Sequence, residues 1–342
     1  MAVKTLAVKY RPDNWEDVVE QNEIKIILQQ QLQTNTFKNA YLFVGPAGCG
    51  KTTCARIFAN EINEHKGNPI EMDAASNSGV DDVREIIQQA KTKSLDSEYK
   101  VFIIDECHSI SNTGWQAFLK LIEEPPAKSI FIFCTTNPEK IPKTILSRVQ
   151  RYQFKKISEK AIIDRLQYIL DDEHLASYHI DSIEYIAKIS DGGMRDAISL
   201  MDKCLSYSDE LTVENVVKAL GTINYDDMMK LTGCIVNRHI KQVIEIIEAL
   251  HSEGKDLKQF IKSYQYFLLD VQKYALGCDF NLLQIPKTEE MQTWLNNRTD
   301  EDFDYMLTVL DSVVKLSTQI KYSNYPKADI EAELLLMMEV NK

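Results

Sequence analysis

The sequence predicts an α/β architecture on a parallel sheet over residues 1–157, followed by helices alone to residue 342. Three observations lead there. Short β-rich apolar runs alternate with helix-period stretches in the first part, one such run passes straight into a glycine-rich loop and a helix, and the strand signal stops after about Lys156. The candidate strands are Tyr41–Val44, Ile70–Met72, Val101–Ile104 and Ile130–Cys134. Around them lie the helical stretches Ile24–Leu32, Thr52–Ile62, Val80–Gln89 and Trp115–Ile122, joined by turns bearing Gly, Pro or Asn.

Past Lys156, apolar residues at 162, 163, 166, 169 and 170 have the spacing of an amphipathic helix. Further helical patterns follow at Ile183–Ile189, Met194–Leu205 and Val213–Leu220, then from Tyr225 onward with a break at Gly277–Pro286. Boundaries near Lys156 and near Gly221-Thr222 predict three domains, 1–157, 158–223 and 224–342.

With 44% hydrophobic and 26% charged residues the composition is that of a soluble globular protein. No apolar run approaches the roughly 18 residues of a membrane span, and Met1–Lys9 lacks the core of a signal peptide, so a cytoplasmic protein without membrane contact is expected. Seven cysteines, odd in number and never spaced C-x-x-C, predict neither a disulfide framework nor a zinc site. A net charge of −12 weighs against nucleic acid when taken whole. Divided, residues 1–157 carry 20 basic and 19 acidic residues, 158–223 carry 6 and 13, and 224–342 carry 13 and 19. The acidity thus belongs to the helical parts and leaves DNA contact by the α/β part open.

Gly45-Pro46-Ala47-Gly48-Cys49-Gly50-Lys51-Thr52 fits G-x-x-x-x-G-K-[ST] between a strand and a helix. Glycines let backbone N–H groups turn onto phosphate oxygens, Lys51 reaches the terminal phosphates, and the Thr52 hydroxyl ligates Mg²⁺, with Thr53 next on the helix. Asp105, at the end of an apolar strand, supplies the carboxylate such a metal needs, and Glu106 is the candidate to polarise an attacking water. An ordinary acidic strand end is the alternative.

Other residues stay open on spacing alone. Thr136 either ends a strand or faces a ligand crevice; Arg148 is either a solvated charge or an arginine finger. Arg195, near a helix start, opposes the macrodipole unless Asp191, Asp196 or a phosphate compensates it. Asp73 reads as a strand-end group or a turn cap.

The motifs in this order resemble the AAA+ clamp-loader ATPases of the bacterial DNA polymerase III gamma/tau family, over nearly the whole chain. Carrying the resemblance are Lys9-Tyr10-Arg11-Pro12, the phosphate loop, Asp73-Ala74-Ala75-Ser76-Asn77, Ile104-Asp105-Glu106-Cys107-His108 and Leu121-Ile122-Glu123-Glu124-Pro125-Pro126. Thr135-Thr136-Asn137-Pro138, Ile145-Leu146-Ser147-Arg148, Gly193-Met194-Arg195-Asp196-Ala197 and Ala219-Leu220-Gly221-Thr222 continue it.

The resemblance implies a P-loop NTPase domain, a helical lid and a helical collar, with ATP and Mg²⁺ as ligands. It makes Thr136 sensor 1, Arg195 sensor 2 and Arg148 a finger acting on a neighbouring subunit's nucleotide, although Val149 stands where the family's Ser-Arg-Cys motif has cysteine. Tyr10, Arg11 and Val19 would enclose adenine. Partners would be a sliding clamp, primer–template DNA and delta-like and delta-prime-like subunits in a pentameric ring, with Arg84, Thr113 and Lys143 as DNA-contact candidates by motif position. The family's four-cysteine zinc module has no counterpart in Glu61–Pro69, so no zinc is expected. The same machinery without a clamp would suit a remodeller or branch-migration motor, and without hydrolysis a nucleotide-binding scaffold.

Overall fold

The computed structural model describes residues 5–340 apart from 78, 95, 175–176 and 221–224; the expected boundary at Gly221-Thr222 lies outside the described residues. The chain folds as two compact units, Met1–Leu175 with Ile186–Asp202, and Ala176–Tyr185 with Lys203–Lys342.

In chain order the first unit begins with α1 (Leu6–Lys9), α2 (Asn22–Thr34), β1 (Ala40–Val44), α3 (Lys51–Ile62), β2 (Ile70–Asp73) and α4 (Val80–Lys91). It continues through β3 (Lys100–Asp105), α5 (Asn112–Glu123), β4 (Ser129–Thr135), α6 (Lys143–Leu146), β5 (Gln150–Gln153) and α7 (Glu159–Asp172). The five strands form one sheet in the order β2-β3-β4-β1-β5, every pairing parallel.

Parallel strands covered on both faces need apolar residues at every position, and β1 and β4 are buried throughout. The two-residue period sorts them. Tyr41, Phe43, Ile103, Ile132 and Cys134 pack with Cys54, Ile57 and Phe58 of α3 on one face. Leu42, Val44, Phe102, Ile104, Phe131 and Phe133 pack with α4 and α5 on the other. There the Phe102 and Phe131 rings stack with centroids 5.0 Å apart.

The expected count of four strands is corrected to five in this sheet. Gln150-Arg151-Tyr152-Gln153 buries Tyr152 alone, because an edge strand needs one apolar side chain on its covered face rather than an apolar run.

Next come β6 (Ser177–Tyr178), α8 (Ile180–Ile189), α9 (Met194–Tyr207), β7 (Glu210–Leu211) and α10 (Val213–Leu220). The parallel pair β6–β7, two residues each, corrects the expectation of helices alone beyond Lys156. The remaining helices are α11 (Tyr225–Val236), α12 (Ile240–Ser252), α13 (Leu257–Ala275), α14 (Glu289–Asn296), α15 (Asp300–Gln319) and α16 (Pro326–Val340). α13 packs against α15, and Ile261, Tyr264, Leu268 and Val271 of the one and Met306, Val309, Val313 and Leu316 of the other are buried at helical spacing.

The break at Gly277–Pro286 is held by one side chain. Asp270, 2% exposed, accepts the backbone N–H of Gln284 at 2.5 Å and of Ile285 at 3.1 Å, and pairs with Lys273 at 2.9 Å. Asp270→Ala strips two inward-facing N–H groups of their acceptor, and urea unfolding should register a loss of about 2–4 kcal/mol. An unchanged midpoint would contradict that role.

Burial pushes the Cys54 thiol up to about 12 and the Cys204 thiol up to about 11, above the roughly 8.5 of an unfolded cysteine. A raised folded pKa gives stability that is complete below the unfolded value and is lost as pH rises beyond it. Thermal stability should therefore fall from about pH 8.5 upward, and less steeply in Cys54→Ala, as followed by melting at stepped pH.

Candidate nucleotide site

The site forms where the carboxyl ends of β1, β3 and β4 meet one edge of the sheet, beside the reversal in strand order that opens a crevice in doubly wound folds. Val44 is in register with Thr135, and the Gly45 N–H donates to the Thr135 carbonyl at 3.2 Å, so the loop leaves β1 anchored to β4. Two glycines are required by space. A Cβ on Gly45 would stand 2.7 Å from the Phe154 carbonyl oxygen, and one on Gly48, at φ +67°, would stand 3.0 Å from Gly193 Cα.

That second approach brings the start of α9 onto the loop. The Met194 N–H donates to the Gly48 carbonyl at 3.1 Å, which sets Arg195 at the same cavity as Lys51. Asp191 pairs with Lys156 at 2.5 Å instead, leaving Arg195 with no ion pair among the described residues.

Lys51 opens α3 and is 6% exposed. Its ammonium donates to the carbonyls of Gly45 at 3.0 Å and Pro46 at 2.6 Å, and meets no carboxylate among the described residues. Beside it the Thr52 hydroxyl donates to Asp105 Oδ2 at 2.8 Å.

These groups border a cavity of about 350 Å³. Of the expected ligand residues it gathers Tyr10, Arg11, Val19, Gly48, Cys49, Gly50, Lys51, Thr52, Thr53, Asp105 and Arg195. Gly45 and Pro46 act from behind as acceptors for Lys51, and Ala47 backs onto Gly193. Lys51, Arg11, Arg56, Arg165 and Arg195 face it against two carboxylates, Asp17 and Asp105. Arg56 is neutralised by a bidentate pair with Glu71 at 2.7 and 2.6 Å. Arg11 has no ion pair among the described residues; burial, then the charges of Arg56 and Arg195, hold its pKa below the ordinary arginine range.

Glu106 and Thr136 end adjacent strands, and the Thr136 hydroxyl donates to Glu106 Oε2 at 3.4 Å. Arg148 stands outside this cavity. Its guanidinium pairs with Glu123 at 2.8 Å and donates to the Thr144 carbonyl at 2.8 Å and the Ser147 hydroxyl at 3.1 Å. Arg84, Thr113 and Lys143 are exposed on α4, α5 and α6, with α5 packed against both other helices; Arg84 pairs with Asp81 at 2.9 Å. Asp73 caps its own turn, accepting from the Ala75 N–H at 2.9 Å and the Ser76 hydroxyl at 3.1 Å.

Several supporting residues escape sequence reading. The Tyr10 hydroxyl lies 2.5 Å from Asp172 Oδ2 and 2.7 Å from Glu173 Oε1, which pins the mouth of the cavity to the end of α7. Buried Gln21 donates to the Lys155 carbonyl at 2.7 Å and accepts its N–H at 3.2 Å, bracing the segment that follows β5. His108 lies 3.2 Å from Glu106. Tyr10 and His108 each had a sequence signal, in the Lys-Tyr-Arg-Pro and Asp-Glu-Cys-His runs, but not for these partners; Gln21 had none.

No helix of the described residues is long and apolar enough to cross a membrane. Among the same residues no group of three or more His, Cys, Asp or Glu side chains is arranged to hold a metal.

Comparison with known proteins agrees with this geometry. Residues 20–78 and 70–158 match the family described as DNA polymerase III, delta subunit, and 161–210 match the DNA polymerase III clamp loader subunit, ATPase lid domain. The chain is 36% identical to DNA polymerase III subunit tau of Bacillus subtilis, covering 100% of this chain and 64% of that protein. It is 29% identical to the gamma/tau subunit of Mycoplasma genitalium over 89% of this chain and 54% of the relative. For subunit tau of Escherichia coli the figures are 29%, 86% and 50%. The chain thus spans about half to two thirds of these relatives' length. Among solved structures, the Thermotoga maritima RuvB Holliday junction branch migration motor shares the fold, with a TM-score of 0.53 and 18% identity over 85% of this chain and 99% of that one. On the joint weight of the phosphate-loop geometry, the two family matches and a likeness to tau that runs the whole length of this chain, the chain belongs to the DNA polymerase III gamma/tau family.

Proposed function

We propose that the chain is an ATP-hydrolysing clamp-loader subunit that helps open a sliding clamp and set it on primer–template DNA, with hydrolysis triggering release. The observation that carries the nucleotide reading is the charge of the cavity. In a chain of net charge −12, Lys51, Arg11 and Arg195 converge with no ion-pair partner among the described residues. Burying an ammonium on carbonyls alone is costly, and a triphosphate supplies the missing anion.

The donor set also suits Mg²⁺: a hydroxyl and a carboxylate 2.8 Å apart, Thr52 and Asp105, are hard oxygen ligands beside the phosphate loop. Thr52 and Asp105 would hold Mg²⁺, whose charge would offset that of the triphosphate. Loop N–H groups and Lys51 orient the triphosphate, with Arg195 and Arg11 at its far side. Glu106 accepts a proton from the attacking water as its oxygen bonds to Pγ and the bond from Pγ to the β,γ-bridging oxygen breaks. ADP and phosphate leave, and the proton passes from Glu106 to solvent.

In this reading Arg148 serves a neighbour's nucleotide, which its position outside its own cavity supports. Residues 158–223 act as lid and 224–342 as collar, and Tyr10 and Val19 enclose adenine. Arg84, Thr113 and Lys143 contact DNA phosphates, in a cytoplasmic, zinc-free pentameric assembly with delta-like and delta-prime-like subunits. An ATPase assay with and without primed DNA and the cognate clamp tests it. Stimulation by both is expected; indifference to both would leave a motor or scaffold and end the loader reading.

Two sets of variants divide the chemistry. Lys51→Ala should lose tight ATP binding in nucleotide titrations, whereas Glu106→Gln should keep it and slow turnover by about 10²–10⁴-fold; retained hydrolysis in either contradicts its role. Arg148→Ala should slow hydrolysis by about 10³-fold, at a neighbour's site. Mixed assemblies with Lys51→Ala subunits locate the defect, and one confined to the variant's own nucleotide refutes action in trans.

A further inference from the structure

Glu106 is held in an uncommon way. It adopts φ 46° and ψ 41°, a left-handed backbone that costs a non-glycine residue about 1–2 kcal/mol. The chain then makes a single short turn, Cys107–Ser109, anchored by the fully buried Cys107 side chain. That turn returns His108 toward the end of β4, where its side chain is 15% exposed.

His108 Nδ1 lies 3.2 Å from Glu106 Oε2 and 3.1 Å from the Thr135 hydroxyl, and the Asn137 N–H donates to that same hydroxyl oxygen at 3.0 Å. The hydrogen bond that Nδ1 makes is with the Thr135 hydroxyl, and toward Glu106 Oε2 the same nitrogen stands as a close polar neighbour at 3.2 Å. The Thr136 hydroxyl donates to the same Oε2 from the other strand. A hydroxyl donor and a ring nitrogen therefore converge on one carboxylate oxygen, and among the described residues neither meets Oε1.

We propose that His108 is a positioning residue for Glu106: with Thr136 it clamps Oε2, so that Oε1 is presented to the attacking water in one orientation. This rests on the reading of Glu106 as the base. The two-point hold also explains why the strained backbone at Glu106 persists, since it lets the carboxylate reach both Thr136 and His108 while Asp105, one residue before, stays on Thr52. His108 touches neither nucleotide cavity nor metal donors; its effect runs through the geometry of Glu106.

The test measures turnover and ATP affinity for His108→Ala, His108→Asn, Glu106→Gln and the double variant Glu106→Gln with His108→Ala. In His108→Ala the turnover number should fall about 10- to 100-fold, as for a misplaced catalytic group, with ATP affinity unchanged; that affinity also reports a folded site. His108→Asn, which keeps a short donor, should recover most of the loss. Added to Glu106→Gln, the His108 change should slow turnover no further, because no base remains to be positioned. Unchanged turnover in His108→Ala, a parallel loss of ATP affinity, or an equal further loss in the Glu106→Gln background would overturn the proposal. Full turnover by Glu106→Gln alone is a separate failure, since it removes the base and not its positioning.

Discussion

Because β1 lies between β4 and β5, with Val44 level with Thr135 on one side and Gln153 on the other, its end opens where β3 and β4 also stop. The register makes neighbours of the glycine loop, Asp105, Glu106 and Thr136, and the hydrogen bonds from Thr52 to Asp105 and from Thr136 to Glu106 follow from it. The register is fixed by apolar side chains that fill both faces of the sheet, and a slip by one residue would exchange the two faces wholesale. The site geometry is thus a consequence of core packing by residues such as Phe43, Phe102 and Phe133, none of which borders the cavity.

The same edge concentrates positive charge in an acidic chain. Other cations of the first unit are held by carboxylates, as Arg56 by Glu71 and Arg148 by Glu123. Lys51, Arg11 and Arg195 come instead from three separate segments, the phosphate loop, the N-terminal strap and α9. A ligand that neutralises all three joins those segments, and the seam between Gly48 and Gly193 already brings α9 within a backbone hydrogen bond of the loop. Binding free energy is then available to bias the setting of α9 against the loop.

How far the fold and site were legible depends on what each residue had to satisfy locally. β1, β3 and β4 are buried on both faces and so carry unbroken apolar runs, whereas β5 needs only Tyr152 and β6 and β7 only two residues each. Lys51, Thr52 and Asp105 announce themselves because the chemistry demands those types at a loop and a strand end. Residues that work through distant partners do not: Tyr10 meets Asp172 and Glu173 across some 160 positions, and Gln21 meets Lys155 across 134. Arg11, expected at adenine, stands among Arg56 and Arg195, and only side-chain placement could reveal that.

The central claim is that the cationic cavity is an ATP and Mg²⁺ site. A crystal structure of the chain with Mg²⁺ and a non-hydrolysable ATP analogue tests it most directly. The account predicts the triphosphate along Gly48–Thr53 with Arg195 facing it, and a metal ion separating the Thr52 hydroxyl from Asp105. Nucleotide bound elsewhere, or within the cavity with the 2.8 Å hydrogen bond from Thr52 to Asp105 intact, would contradict it.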